Sequence, residues 1–302
     1  MPNWGQVLTE IQARDAKLAN DAKSAVDIVR RKYLKSLHKK TGRNVIAYYS
    51  GWLSNPAAFG IDVNDEDKAA FMMAIHGLDK DKGLDLILHT PGGGIAAAES
   101  LVDYLRRIFG GDIRAIVPHL AMSAGTMIAC ACKSIVMGKH SNLGPIDPQL
   151  GGLPAAAVKK EIERAIAEIQ ANPERLQFWQ FVLNKYNPTF VGQCEQAVSM
   201  AAEFVRDRLV DNMFKGDPDA QAKAQAIVDG LSDVDDNKSH SRHIHIDKCE
   251  SLGLKIERLE DDQELQEAVL TVHHCFMHSI TVSGASKLVE NQNGAAFVKL
   301  PA

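Results

Sequence analysis

The sequence predicts an α/β fold in which a mainly parallel sheet with crossover helices is followed by a helical extension. Short apolar segments rich in β-forming residues alternate with amphipathic segments between residues 44 and 137. This alternation is typical of right-handed crossovers between parallel strands. Beyond residue 155, long patterns with helical periodicity replace the alternation. A chain of 302 residues is long enough to bury one large core that carries such an extension.

The sequence pattern of the N-terminal region predicts a helix, a strand and a second helix. Apolar residues recur at helical spacing over residues 4–38, with charged residues between them. Residues 44–49 consist mainly of β-formers and predict a strand. An acidic first turn, which the helix dipole favours, predicts a helix over residues 65–77. We therefore assign residues 1–40 to an N-terminal helix and residues 41–155 to the core of the fold.

In the rest of the core, the sequence predicts three strands that alternate with two helices. The strands cover residues 84–89, 113–117 and 134–137, and the helices cover residues 95–109 and 124–132. The first of these helices is strongly amphipathic, whereas the second is almost entirely small or apolar and is expected to be buried. Ligands bind at the carboxyl ends of the strands in sheets of this kind. The turns that follow the strands are therefore the place to look for function.

Residues 156–302 predict a mainly helical extension. A polar loop over residues 233–241 interrupts it, and a returning strand is predicted over residues 254–259. The last dozen residues are expected to be weakly structured. The predicted helices cover residues 155–171, 174–186, 190–215, 218–230 and 262–279.

Composition and charge argue against several classes of function. A formal net charge of −4 leaves no basic excess to neutralise phosphates, so we expect no nucleic-acid partner. The five cysteines show no paired spacing, which favours a reducing, intracellular setting. No segment approaches the roughly twenty uncharged apolar residues that span a bilayer, and the N-terminus lacks the pattern of a signal peptide. We expect a soluble, cytoplasmic protein with no membrane partner.

Two turns carry the chemistry of this chain. The first, Pro91-Gly92-Gly93, follows a predicted strand, and its glycines allow a substrate backbone to approach closely. The second places Ser123 between a strand and a helix, with two small residues after it. A serine hydroxyl opposite free backbone amides is the minimum equipment for attacking a carbonyl and stabilising the resulting oxyanion. The residues therefore favour a hydrolase in which Gly92 and Ala124 donate their amides to the oxyanion.

Three short motifs occur in order: HTPGG at residues 89–93, AMSAGT at residues 121–126 and SNLGPIDPQ at residues 141–149. With them the chain resembles the ClpP/crotonase superfamily and, more closely, the serine dehydrogenase proteinase family, relatives of the signal peptide peptidase SppA. The similarity covers roughly residues 43–155 and continues more weakly through His243-Ile244 and residues 249–254. Each motif is weak alone, but three in this order form a specific signal.

The resemblance implies a ClpP/crotonase-like core and a serine peptidase that cleaves peptide or protein substrates without a cofactor. It implies that Ser123 is the nucleophile and that the oxyanion hole is formed by Gly92, Gly93 and Ala124. It also implies a homo-oligomer, because ClpP-like and SppA-like proteins enclose their active sites in rings.

The sequence does not determine which residue is the general base. Where ClpP-like enzymes place a histidine, this chain reads Ile146-Asp147-Pro148, and SppA-like enzymes use a lysine instead. We include Asp147 in the catalytic set, because it could orient a base or accept a proton itself; anchoring its own loop is the alternative. The other candidates for the base are Lys159, Lys160, Lys185, His119, His89 and His140.

Two other functions remain as alternatives to a serine peptidase. A crotonase-type acyl-CoA enzyme would use paired amides to hold a thioester enolate without a serine nucleophile. A non-catalytic oligomeric scaffold would keep the fold without a base. Two histidine groups, residues 240–245 and residues 273–278, lack supporting cysteine or carboxylate ligands, so no metal site is predicted.

Overall fold

A seven-stranded sheet forms the centre of the structure, a computed structural model that describes residues 2–18 and 24–301. In chain order the strands of the protein are β1 (Asn44–Ser50), β2 (Leu84–His89), β3 (Ile113–Val117), β4 (Leu120–Ala121), β5 (Ser134–Met137), β6 (Asn142–Leu143), β7 (Gln149–Leu150), β8 (Leu153–Pro154), β9 (Ile244–His245), β10 (Ile256–Arg258), β11 (Lys287–Asn291) and β12 (Ala296–Lys299). The central sheet has the order β10-β5-β3-β2-β1-β11-β12. Its first five strands run parallel, and β11 is antiparallel to both of its neighbours.

Helices cover both faces of this sheet. In chain order they are α1 (Trp4–Lys17), α2 (Ala25–Thr41), α3 (Glu66–Ile75), α4 (Ile95–Phe109), α5 (Ala124–Cys130), α6 (Ala155–Ala171), α7 (Leu176–Leu183), α8 (Phe190–Arg208), α9 (Ala220–Ser232), α10 (Val234–Asn237), α11 (Ile246–Ser251) and α12 (Gln263–Ser283). Helices α3, α4, α5, α8 and α9 share a core with one face of the sheet. Helices α1, α2 and α12 share a second core with the other face.

The side chains of β1 show how the sheet separates the two cores. Ile46 and Tyr48 belong to the first core, whereas Val45, Ala47 and Tyr49 belong to the second. Successive residues of a strand point to opposite faces, so a strand covered on both sides is apolar throughout. The predicted fold class, an α/β protein with a mainly parallel sheet, is confirmed.

A small three-stranded sheet extends the carboxyl edge of the central one. Its order is β4-β6-β9, with β6 parallel to β4 and antiparallel to β9. Strand β9 follows helices α6 to α10 in the chain, so this pairing returns the end of the helical extension to the edge of the core. The strands β7 and β8 form a separate hairpin that leads into α6.

The structure corrects two predictions at the ends of the chain. The single helix expected over residues 4–38 is wrong, because α1 and α2 are separate helices; residues 19–23, between them, lie outside the described residues. Ser24 begins the second helix, since its side chain accepts a hydrogen bond from the Asp27 amide. The weak structure expected for the last dozen residues is also wrong, because β12 pairs with β11 and β11 pairs with β1.

Much of the predicted extension agrees with the structure. The helix expected over residues 155–171 has the bounds of α6, and the strand expected over residues 254–259 contains β10. Residues assigned to the extension nevertheless supply three strands to the central sheet, namely β10, β11 and β12. Across residues 2–18 and 24–301, no helix has the combination of length and apolar character that crossing a bilayer demands.

Candidate active site

Ser123 occupies a strained turn between β4 and α5. Its backbone has a φ of 50° and a ψ of −116°, a conformation that residues other than glycine rarely adopt. The Gly125 amide donates to the Met122 carbonyl at 2.7 Å across the turn. The Thr126 hydroxyl lies 2.8 Å from the Ala121 carbonyl oxygen and closes the turn from the helix side. Strain that is maintained by its surroundings in this way is concentrated at functional sites.

The glycine turn after β2 lies directly against the serine turn. Thr90 and Ala121 form a parallel β-bridge between the two chain segments. A Cβ atom at Gly92, where φ is +97°, would lie 2.6 Å from the Cβ of Ser123 and 2.9 Å from the Ala124 nitrogen. Glycine is therefore required at position 92 for both steric and conformational reasons. The structure brings together the two turns that the sequence singled out.

The three predicted oxyanion donors differ in their hydrogen bonds. The Gly92 amide donates a hydrogen bond to the Thr90 hydroxyl oxygen at 3.2 Å. The Val63 amide donates to the Gly92 carbonyl at 2.8 Å. Because C=O and N–H point in opposite directions across a trans peptide, the Gly93 N–H points away from Val63. Within residues 2–18 and 24–301, the amides of Gly93 and Ala124 have no hydrogen-bond partner and are available to a ligand.

A partly exposed histidine pairs with a buried carboxylate near the same turns. Asp147 is 4% exposed, and its Oδ1 lies 2.9 Å from Nδ1 of His240. Its second oxygen accepts a hydrogen bond from Gln149 Nε2 at 2.9 Å. A carboxylate at Nδ1 favours the tautomer in which Nδ1 carries the hydrogen and Nε2 is free to accept a proton.

Ser123 and His240 line one cleft of about 470 Å³, which we call the serine cleft. The glycine turn, residues 91–94, forms another part of its wall. Apolar side chains that line the cleft include Ile95, Met127 and Leu150. A hydroxyl, a histidine with a carboxylate partner and unengaged amides are thus available to a single bound substrate.

The sequence interpretation missed His240 as a candidate base. It treated this residue as part of a histidine group in a polar loop, far along the chain from the serine. The antiparallel pairing of β6 with β9 matches Asn142 with His245 and Leu143 with Ile244. The pairing brings the loop that contains His240 beside the loop that contains Asp147, where the two side chains meet. The one signal available in the sequence was a histidine next to a short β-forming segment, which is too weak to predict the pairing.

The lysines proposed as bases do not line the serine cleft. Lys159 and Lys160 lie on α6, and the Lys160 ammonium is 2.6 Å from the Asp235 carboxylate. The Lys185 ammonium lies 5.0 Å from the centre of the Phe181 ring. The structure therefore gives no support to a lysine base within this chain's described residues.

The histidines proposed as bases also lie outside the lining of the serine cleft. His89 ends β2 but faces the core beneath α12, with its ring centre 5.3 Å from that of His273. His119 stacks on His89 with ring centres 5.5 Å apart. Burial lowers the pKa of His89 to about 3 and also lowers the pKa of His119 and His140. These neutral side chains pack against other groups rather than reach Ser123.

The burial of His89 predicts a loss of stability in acid. Its pKa falls from 6.5 in the unfolded chain to about 3 in the folded one, so between these values only the unfolded state binds the proton. Stability therefore decreases as the pH falls through this window. At pH 5 the loss from this residue is about 2 kcal/mol. Urea unfolding at pH 7 and pH 5 should show a smaller loss for His89→Leu than for wild type.

The control for this measurement is His76→Gln, because His76 is exposed. Its stability should depend on pH as that of the wild type does. An equal acid-induced loss in His89→Leu and wild type would contradict the prediction.

The remaining histidines are not arranged as a metal centre. Within the described part of the chain, no group of three or more His, Cys, Asp or Glu side chains is placed to hold a metal ion. His240 instead pairs with Asp147, and Nδ1 of His273 lies 3.1 Å from the Tyr49 hydroxyl.

Comparisons with known proteins identify the family of this chain. The uncharacterized protein MJ0137 of Methanocaldococcus jannaschii is 30% identical over 278 residues, which cover 89% of this chain and 87% of that protein. A second uncharacterized protein of that organism, MJ1495, is 30% identical over 191 residues, 63% of this chain and 58% of that protein. A family model described as ClpP-like SDH-type serine proteinase matches residues 18–269, a span that includes both turns and the His240 loop. The chain therefore belongs to the family of ClpP-like SDH-type serine proteinases.

Proposed function

We propose that this chain hydrolyses peptide bonds with Ser123 as the nucleophile, His240 as the general base and Asp147 as the residue that orients His240. The observation that carries the proposal is that Ser123, the glycine turn and His240 line one cleft while Asp147 holds Nδ1 of His240. Membership of a serine proteinase family supports the same class of reaction. The chain order Ser, Asp, His is compatible with this role, since such triads are defined by geometry rather than by order.

Acylation uses each of these groups once. His240 Nε2 takes the proton of the Ser123 hydroxyl as Oγ attacks the carbonyl carbon of the substrate, and the carbonyl electrons move to its oxygen. The Gly93 and Ala124 amides then donate to this oxyanion. When the tetrahedral intermediate collapses, the imidazolium of His240 gives its proton to the leaving amine. The product is an ester between the substrate acyl group and Ser123.

Deacylation repeats the sequence with water as the nucleophile. His240 takes a proton from water, whose oxygen attacks the ester carbonyl, and then returns the proton to Ser123 as the acid product leaves. Asp147 stabilises the imidazolium that exists during each step. The enzyme is regenerated without a cofactor.

The proposal assigns different roles to the two glycines of the turn. Gly93 is the donor because its N–H points away from Val63 and has no partner in the described residues. Gly92 supplies the space that lets the two turns touch, and its own amide is held by Thr90. With Ala124, Gly93 completes the pair of donors that an oxyanion requires.

We propose peptides or proteins as the substrate class and a homo-oligomer as the working assembly. Two exposed phenylalanines of α7 support self-association, since Phe178 is 51% exposed and Phe181 is 70% exposed. Apolar side chains that are exposed together mark surfaces for protein contact.

Covalent labelling tests the proposed nucleophile directly. A fluorophosphonate should label the wild-type protein, and peptide mapping should place the adduct on Ser123. Ser123→Ala should remain folded and unlabelled, whereas Ser100→Ala should label like wild type, because Ser100 lies on α4 and binds Lys68. An adduct on another residue, or labelling of Ser123→Ala at the wild-type rate, would overturn the assignment.

The same samples distinguish the alternatives raised by the sequence. Saturable binding of coenzyme A, with full activity in Ser123→Ala, would indicate a crotonase-type acyl-CoA enzyme. Absence of labelling in a correctly folded wild-type assembly would indicate a scaffold.

A further inference from the structure

A buried ion pair lies behind the glycine turn and has no role in the mechanism above. Lys287 on β11 and Asp67 on α3 are each 1% exposed, and Nζ lies 2.5 Å from Oδ1. The Tyr48 hydroxyl donates to the other oxygen of Asp67 at 2.9 Å. Removing two charges from water is costly, and an apolar replacement of such a pair is often as stable. Its presence therefore calls for an explanation other than stability.

The ion pair holds the chain on both sides of Val63. Lys287 Nζ donates a second hydrogen bond to the Asp62 carbonyl at 2.8 Å. The Asp67 carboxylate accepts a hydrogen bond from the Asn64 amide at 2.9 Å. The two residues that flank Val63 are thus attached to one buried pair of charges.

Val63 is hydrogen-bonded to the glycine turn through both its amide and its carbonyl. Its amide donates to the Gly92 carbonyl at 2.8 Å, and its carbonyl accepts from the Gly94 amide at 2.9 Å. The hydrogen bond from Val63 therefore fixes the carbonyl of the peptide between Gly92 and Gly93. Because that peptide is planar and trans, fixing the carbonyl fixes the direction of the Gly93 N–H.

We propose that Lys287 and Asp67 are positioning residues that aim the Gly93 N–H at the oxyanion by holding Val63. This inference rests on the proposed function, since it assigns a purpose to the donor named there. A donor must be aligned before the reaction to stabilise the oxyanion, and small displacements of catalytic groups reduce rates strongly. Neither Lys287 nor Asp67 lines the serine cleft itself, so the pair acts on the oxyanion donor through Val63 and not by contact with a substrate.

The test replaces the pair by apolar side chains of similar size. The double variant Lys287→Met/Asp67→Leu should remain folded, because it leaves no unpaired buried charge, although it is less stable than wild type since the Tyr48 hydroxyl and the Asn64 amide lose their acceptor. Its kcat should fall about 10–100-fold, with KM within about threefold, because only the oxyanion donor is misaligned. The control is Arg30→Met/Glu290→Leu, which removes a buried ion pair of 2.5 Å from the opposite face of β11. This control should keep the wild-type kcat.

A second measurement does not depend on activity. Amide hydrogen exchange of Val63 and Gly94 should be faster in Lys287→Met/Asp67→Leu than in wild type, and unchanged in the control. A second double variant, Lys287→Gln/Asp67→Asn, keeps neutral hydrogen-bonding groups at both positions and leaves no unpaired buried charge. It should show the same effects to a smaller degree and serves if the apolar double variant fails to fold.

The outcomes separate this inference from the proposed function. Wild-type kcat and unchanged exchange in a folded variant would overturn the positioning role. If the wild type itself fails to label at Ser123, the proposed function fails, and the exchange data still decide whether the ion pair holds the turn. An equal loss of kcat in the control variant would show that the effect comes from general destabilisation, and this result would also overturn the inference.

Discussion

Replacement of His240 by alanine is expected to lower kcat/KM for a peptide substrate by about 10²–10⁴-fold. In the proposed mechanism the imidazole removes the Ser123 proton, because it lines the serine cleft and Asp147 holds its Nδ1. Without it, the hydroxyl attacks as a weak nucleophile and the leaving amine must depart without a proton donor. The fluorophosphonate labelling rate of Ser123 should fall in parallel.

Two further variants sharpen this experiment. Asp147→Asn should also be strongly impaired, because an amide at this position no longer favours the tautomer with a free Nε2. His243→Ala is the matched control, since His243 lies in the same loop and is exposed, and it should keep wild-type activity. Full activity in His240→Ala would assign the base to a group other than this pair.

Introducing a single methyl group at Gly92 is expected to abolish labelling of Ser123. The added Cβ would lie 2.6 Å from both the Met122 carbonyl oxygen and the Ser123 Cβ, and the backbone there has a φ of +97°. Either the serine turn or the glycine turn must move, which separates Ser123 from the proposed oxyanion donors. The strained backbone alone should lower the free energy of unfolding by about 1–3 kcal/mol, measurable by urea unfolding.

The neighbouring residue provides a stringent control. A Cβ at Gly94 would meet its nearest neighbours, the Ala97 Cβ and the Val63 carbonyl oxygen, at 3.6 Å, which is ordinary contact. Its φ of −67° suits any residue. Gly94→Ala should therefore fold and label close to wild type. Loss of labelling in both variants, or in neither, would contradict the steric explanation.

Local patterns were sufficient to predict the centre of the fold. Strand β3 and helix α4 have the bounds that periodicity and glycine breaks indicated. The meeting of the two turns was also predictable, because each follows a strand of one parallel sheet and such turns share an edge. Pairings between distant segments were harder to predict. Strand β11 contains Lys287 and Glu290, and charged residues predict an exposed segment unless their buried ion-pair partners are known.

Local periodicity and short motifs were enough to predict the class of fold, the candidate nucleophile Ser123 and the glycine turn beside it. The residue that accompanies Asp147 and the glycine amide that stays free become evident only in the folded chain. The pairing of β9 with β6 brings the loop of His240 beside that of Asp147, and the Val63 amide donates to the Gly92 carbonyl across a loop. Both contacts join segments that are distant in the chain, and pairing of that kind leaves no periodic trace in either segment.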